Sequence, residues 1–172
     1  MLLLETSAEL TTPRYSRVPL DARTVARAAG IKLNTLNAWI SRGLITWVTV
    51  GTSGKRRDFD FDTAVRIAIF AELVRRLAPL DYAELAAKGL SDTRIQAGWL
   101  YVIPAQQAGR WTIAHFFGEG PGERASDLIR LWEDSQHPQD APTFFAAINV
   151  GKLAEQVRQA EQEWQQQSRG AK

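Results

Sequence analysis

Within the eleven residues from Lys32 to Arg42 the chain carries two cations, two asparagines, a threonine and a serine: Lys32, Asn34, Thr35, Asn37, Ser41 and Arg42. Asparagine can meet an adenine edge with two hydrogen bonds, and lysine or arginine can neutralise a phosphate. The chemistry on offer is recognition of a nucleic acid. Asn34, Thr35 and Asn37 are the candidates for base edges, and Lys32 and Arg42 for phosphates. A second group, Lys55, Arg56 and Arg57, follows Gly51 and Gly54. Cations beside glycines suit a phosphate backbone or a minor groove, although such a run is also common as solvated charge on an edge strand.

These side chains need a frame. Leu33, Leu36 and Ile40 fall at i, i+3 and i+7, which predicts a short helix with one stripe facing a core and the polar residues on its other side. Gly30 and Gly43 bracket it, since glycine takes the left-handed turn that ends a helix. Before it, "LDARTVARAAG" predicts a helix capped by Asp21, with Val25, Ala26 and Ala29 inward and Gly30 as its stop. Two short helices across a tight turn make a helix-turn-helix. After it, Ile45, Trp47, Val48 and Val50 predict a strand. A Gly-Thr-Ser-Gly turn and a second strand through the cationic run to Phe59 and Phe61 would complete a hairpin, the wing.

The charge distribution supports the same chemistry. The 172 residues carry a net charge of +2, yet Arg14 to Arg76 hold twelve bases and five acids, while Leu77 to Lys172 hold nine bases and twelve acids. A basic amino-terminal half points to a polyanionic partner. Zero cysteines exclude disulfides, thiolate metal sites and cysteine nucleophiles, and suit a cytoplasmic location. The opening "MLLLETSAEL" lacks the basic flank and cleavage site of a secretory signal, and no run reaches membrane-spanning length.

The order "VARAAGIKLNTLNAWISRGLI", then "GKRRDFDFDTAV" and a long apolar helix, resembles the MerR-like winged helix-turn-helix family over roughly Leu20 to Leu85. The matching positions are Ala26, Gly30, Ile31, Thr35, Leu36, Arg42, Gly43, Leu44, Gly54, Arg56 and Asp62, the last opening the next helix. Where the family usually has a basic residue and a pair of tyrosines, this chain has Asn37, Ala38 and Trp39; the tryptophan is expected to pack in the core. The resemblance implies double-stranded DNA as partner, self-association through regions after the winged unit, and RNA polymerase or another regulator as a further partner. Without cysteines, the family's thiol-based metal sensing is excluded.

The helix from Asp62 to Leu77 is apolar on several faces and should be sandwiched between the winged unit and another element. Pro79 stops it, and Asp81 is expected to cap a short helix ending at Lys88. Beyond Ser91, "WLYVIPA" and "GRWTIAHFF" predict two strands joined through "AQQAG", "ERASDLIRLWED" a helix, and "TFFAAINV" a strand running into a closing helix. Along that helix Leu153, Val157, Ala160 and Trp164 form a narrow stripe. It suits either a coiled-coil seam or the face of a helix lying on its own sheet.

The expected fold is therefore α+β: a leader over 1–19, a winged helix-turn-helix over 20–90 and a small β-β-α-β-α domain over 91–172. Enzyme readings fail for want of parts. His115 and His137 have no spaced partners for a metal set or a triad, and "GEGPGE" lacks the lysine and Ser/Thr of a phosphate loop. No cofactor and no small-molecule effector is predicted. The leading expectation is a homodimeric transcription regulator on inverted-repeat DNA sites, with Leu153, Val157, Ala160 and Trp164 at the dimer seam. The competing readings are an excisionase-like architectural protein and a protein-interaction module with a vestigial winged unit.

Overall fold

The computed structural model describes residues 19–48, 58–76, 78–90, 98–107, 110–118 and 146–170, and these form an α+β fold. In chain order they are β1 (Leu20–Asp21), α1 (Ala22–Ala28), α2 (Leu33–Ser41), β2 (Asp58–Phe59), α3 (Phe61–Arg75), α4 (Leu80–Lys88), β3 (Trp99–Gln107), β4 (Arg110–Gly118), β5 (Ala146–Asn149) and α5 (Val150–Gly170).

The two glycine stops work as expected and share one geometry. Gly30 has φ 65° and Gly43 φ 67°. At the end of α1, Ile31 N donates to Ala26 O at 2.9 Å and Gly30 N to Arg27 O at 3.0 Å. At the end of α2, Leu44 N donates to Trp39 O at 2.9 Å and Gly43 N to Ile40 O at 3.1 Å. Each pair is a Schellman motif, in which a left-handed glycine lets two amides satisfy carbonyls that the helix end orphans. The aliphatic residue after each glycine turns back toward the helix it follows.

Acids and amides start the helices. Asp21 Oδ1 accepts from Thr24 N at 2.7 Å, as the sequence suggests. For α3 the cap is Asp60, whose Oδ1 accepts from Thr63 N at 2.6 Å, so the helix begins at Phe61, just ahead of the expected Asp62. Phe61, expected at the end of a strand, is the first residue of that helix and is buried. Pro79 occupies the N-cap of α4, and Asp81 lies in its first turn instead of capping it. Asn149 Oδ1 accepts from Lys152 N at 2.8 Å, which caps α5 directly out of β5. Each such cap contributes about 1 kcal/mol.

The expected wing strand at Ile45–Val50 is not seen in its described part, because residues 44–48 form turns and bends. Instead β2 pairs antiparallel with β1, Leu20 opposite Phe59 and Asp21 opposite Asp58. Leu20, Ile45 and Phe59 are all buried, so Ile45 and Val48 supply core side chains from a turn while Leu20 supplies the strand partner. The expected run over Lys55–Arg57 lies outside the described residues.

α3 is the centre of the fold. Nine of its fifteen residues are buried, and it packs against α1, α4, α5 and β5. A helix apolar all round needs neighbours all round, and these are the neighbours. The carboxy-terminal sheet has the order β4-β3-β5, antiparallel throughout. Pairing of β3 with β4 reaches Gln107 and Arg110, so most of the expected "AQQAG" loop is strand. β5 pairs with β3 only from Trp99 to Val102, which leaves Pro104 beyond its end, where a missing N–H breaks no ladder on that side. The expected helix over 123–134 and residues 143–145 of the expected strand lie outside the described residues.

Within the chain α5 packs mainly on α1 and α3 and less on its own sheet; of its expected stripe Val157 is fully buried and Ala160 6% exposed, while Leu153 and Trp164 are half-buried. One apolar core runs without a break from Leu20 through Phe70 to Leu100, Ile148 and Val157, across the boundary expected near residue 90. No helix among the described residues is long and apolar enough to cross a membrane.

Candidate nucleic-acid interface

The inner stripe of α2 is held firmly. Leu36 is fully buried and Ile40 nearly so, and the rings of Trp39 and Phe70 meet edge to face with centroids 4.9 Å apart and planes at 77°. Such a ring pair adds about 1 kcal/mol beyond the area it buries. Trp39 is thus an anchor between α2 and α3, the packing role expected for it. The turn after α2 is tied as well, since the Thr46 hydroxyl donates to the Glu84 carboxylate on α4.

The opposite side of α2 is open. Lys32, Asn34, Ser41 and Arg42 are exposed, while Thr35 and Asn37 are half-buried. Asn37 already interacts within the chain, so Asn34 carries the more accessible amide of the two. The Ser41 hydroxyl donates to its own helix at Ala38 O, 3.2 Å away. The structure therefore leaves Asn34 exposed on α2, with Lys32 and Arg42 exposed at its two ends and Thr35 and Asn37 half-buried. Lys55, Arg56 and Arg57 lie outside the described residues and are not placed.

Ion pairing sorts the basic residues of the amino-terminal half. Arg27 pairs with Glu163 at 3.0 Å, and Arg75 and Arg76 both pair with Glu72, Arg76 at 2.9 Å. Arg23, Lys32 and Arg42 make no ion pair with any described residue. These are the cations that a phosphate would meet uncompensated, two of them at the ends of α2.

One contributor escaped the sequence reading. The N-cap of α2 is Lys32, which offers no side-chain oxygen, so the first amides of this helix have no side-chain cap. α1, α3 and α5 all have one, and α4, entered from Pro79, also lacks one. An uncapped helix start beside a lysine favours an anionic oxygen, through both the free N–H groups and the helix dipole. The signal was present as a lysine immediately before the first apolar residue, where a capping residue is usual.

Among the described residues no group of three or more histidines, aspartates and glutamates could hold a metal ion. His115 falls on β4 and His137 outside the described residues. The residues of α2 offer hydrogen bonding and charge. No protein-family model matches the chain, and no curated protein matches it in sequence.

Proposed function

We propose that this chain is a double-stranded-DNA-binding protein that regulates transcription from the cytoplasm, with α1 and α2 as a helix-turn-helix and α2 as the helix that enters the major groove. The observation that carries the reading is the two-sidedness of α2. Its apolar stripe is locked to the core through Leu36, Ile40 and Trp39, while Asn34 stands exposed and Lys32 and Arg42 are exposed at its two ends. A rigid helix with an amide between two unpaired cations meets the requirement that phosphate contacts position and base contacts specify. Lys55, Arg56 and Arg57 would hold the flanking backbone as a wing. No catalytic step belongs to this reading.

Burial of Val157 and Ala160 inside the monomer bears on how the protein would sit on its sites. A dimer on inverted repeats would need a surface other than that stripe. This favours, as a second reading, an architectural protein that binds tandem sites as separate copies and bends DNA, as excisionase-like factors do.

The test is recovery and sequencing of genomic fragments bound by the purified full-length protein at physiological salt. A shared motif among them supports DNA recognition; an inverted repeat favours the dimeric regulator, and clustered direct repeats the architectural protein. Recovery no better than random fragments rejects both.

A further inference from the structure

A cleft of about 810 Å³ opens between the end of α1, the end of α3 and the start of α5. That volume lies within the range of small-molecule sites. Trp99, partly exposed at the start of β3, and Leu153, half-buried on α5, line it with apolar surface on which a flat ring can stack. The rest of the lining mixes small residues, among them Ala28, Ala29 and Ala160, with polar ones, and its charges do not cancel. Arg27, Arg75, Arg76 and Lys152 face two carboxylates, Glu72 and Glu163.

The geometry identifies which cation is spare. Each guanidinium pairs with a carboxylate, Arg75 and Arg76 sharing Glu72 and so leaving one positive charge over, whereas Lys152 is exposed and pairs with no described residue. The start of α5 offers little to an anion. Val150 N and Gly151 N donate to Gly98 O at 3.0 and 3.3 Å, and Lys152 N to Asn149 Oδ1. The ammonium of Lys152 is therefore the one cation of this lining that pairs with no described carboxylate, and with an excess of two positive charges around it the cleft favours an anion held there. Gln156 and Gln159 add neutral hydrogen-bonding groups along the same helix.

We infer that this cleft binds a small aromatic carboxylate, its ring against Trp99 and its carboxylate on Lys152. The site is independent of the DNA reading, although it adjoins it: Arg75 lines the cleft and also donates to Ala29 O, in the turn before α2.

Isothermal titration of the full-length protein with benzoate, 2-naphthoate and indole-3-acetate tests this, with 2-naphthamide as the neutral control. The expected result is one-to-one binding of at least one carboxylate, with the amide at least tenfold weaker than 2-naphthoate. Lys152→Glu, at an exposed position, should keep the wild-type unfolding midpoint and weaken the carboxylate at least tenfold. Failure of all three carboxylates to bind overturns the inference, as does equal binding by the Lys152→Glu variant or equal binding of 2-naphthamide and 2-naphthoate.

Discussion

The guanidinium of Arg75 donates from Nη2 to the carbonyl of Ala29 at 3.1 Å, linking the last turn of α3 to the turn between α1 and α2. The same nitrogen lies 3.1 Å from where a Cβ on Gly30 would stand. Glu72 holds Arg75 in place from the preceding turn of α3. The central helix thereby sets the position of the turn that aims α2, through one charged group satisfying a carbonyl at a helix end.

Arg75→Ala removes this tie. The side chain is half exposed, so water takes up part of the loss, and the expected cost is about 1 kcal/mol, read as a fall of roughly 2–4 °C in the unfolding midpoint. Under the DNA reading, affinity should fall more than stability alone explains, because α2 loses its brace. Parallel calorimetric unfolding and DNA titration check both, and an unchanged affinity would leave Arg75 a purely structural residue.

The two glycine stops should respond differently to alanine. At Gly43 an added Cβ meets nothing within 4 Å, so only the left-handed backbone resists, at about 1 kcal/mol. At Gly30 the same strain is joined by the close approach of the Arg75 guanidinium. Gly30→Ala should therefore be the more destabilising in urea unfolding, and the difference should vanish in an Arg75→Ala background.

Asp60→Ala should cost about 1 kcal/mol, since the Thr63 amide loses its acceptor at the start of α3. Asp60→Asn should restore most of it. Equal loss in both variants would assign the effect to charge instead of the cap.

Val157→Ala should destabilise by about 2 kcal/mol through the cavity left between α5, α1 and α3. Because this packing lies within one chain, the destabilisation should not depend on protein concentration. A midpoint that rises with concentration in the wild type and ceases to do so in the variant would make Val157 part of a subunit interface.

Under the DNA reading, replacing Arg56 and Arg57 with alanine should weaken binding to all DNA sequences alike and flatten the salt slope by about one unit for each phosphate no longer neutralised. Asn34→Ala should instead change base preference with the slope kept. Fluorescence anisotropy over a salt series with matched and altered sites separates the two outcomes. An unaltered preference would remove Asn34 from base recognition.

Much of the amino-terminal architecture was legible because its signals are local. Asp21 caps the residue three ahead of it, and Gly30 and Gly43 close bonds spanning five residues, so sequence neighbours carry the whole geometry. The antiparallel β3–β4 pair and the run from β5 straight into α5 were legible for the same reason. The α3 start is less legible, because Asp60 and Asp62 both precede a helical run, and only the direction of the chain leaving β2 decides which one faces the Thr63 amide.

By itself, the sequence determined where helices α1 and α2 stop, which side of α2 is apolar, and that its other side carries amides and cations. Steric limits at a left-handed glycine and the 3.6-residue period act within a few residues and leave little choice. Only the tertiary structure decided that β2 pairs with β1, that the α5 stripe is covered by α1 and α3, and that Arg75 reaches Ala29. An apolar stripe states that it must be buried but not against what, and the same Leu-Val-Ala spacing fits a sheet, a second chain or two helices. The partner is settled by which surfaces remain uncovered once α3 has drawn the rest of the chain around it.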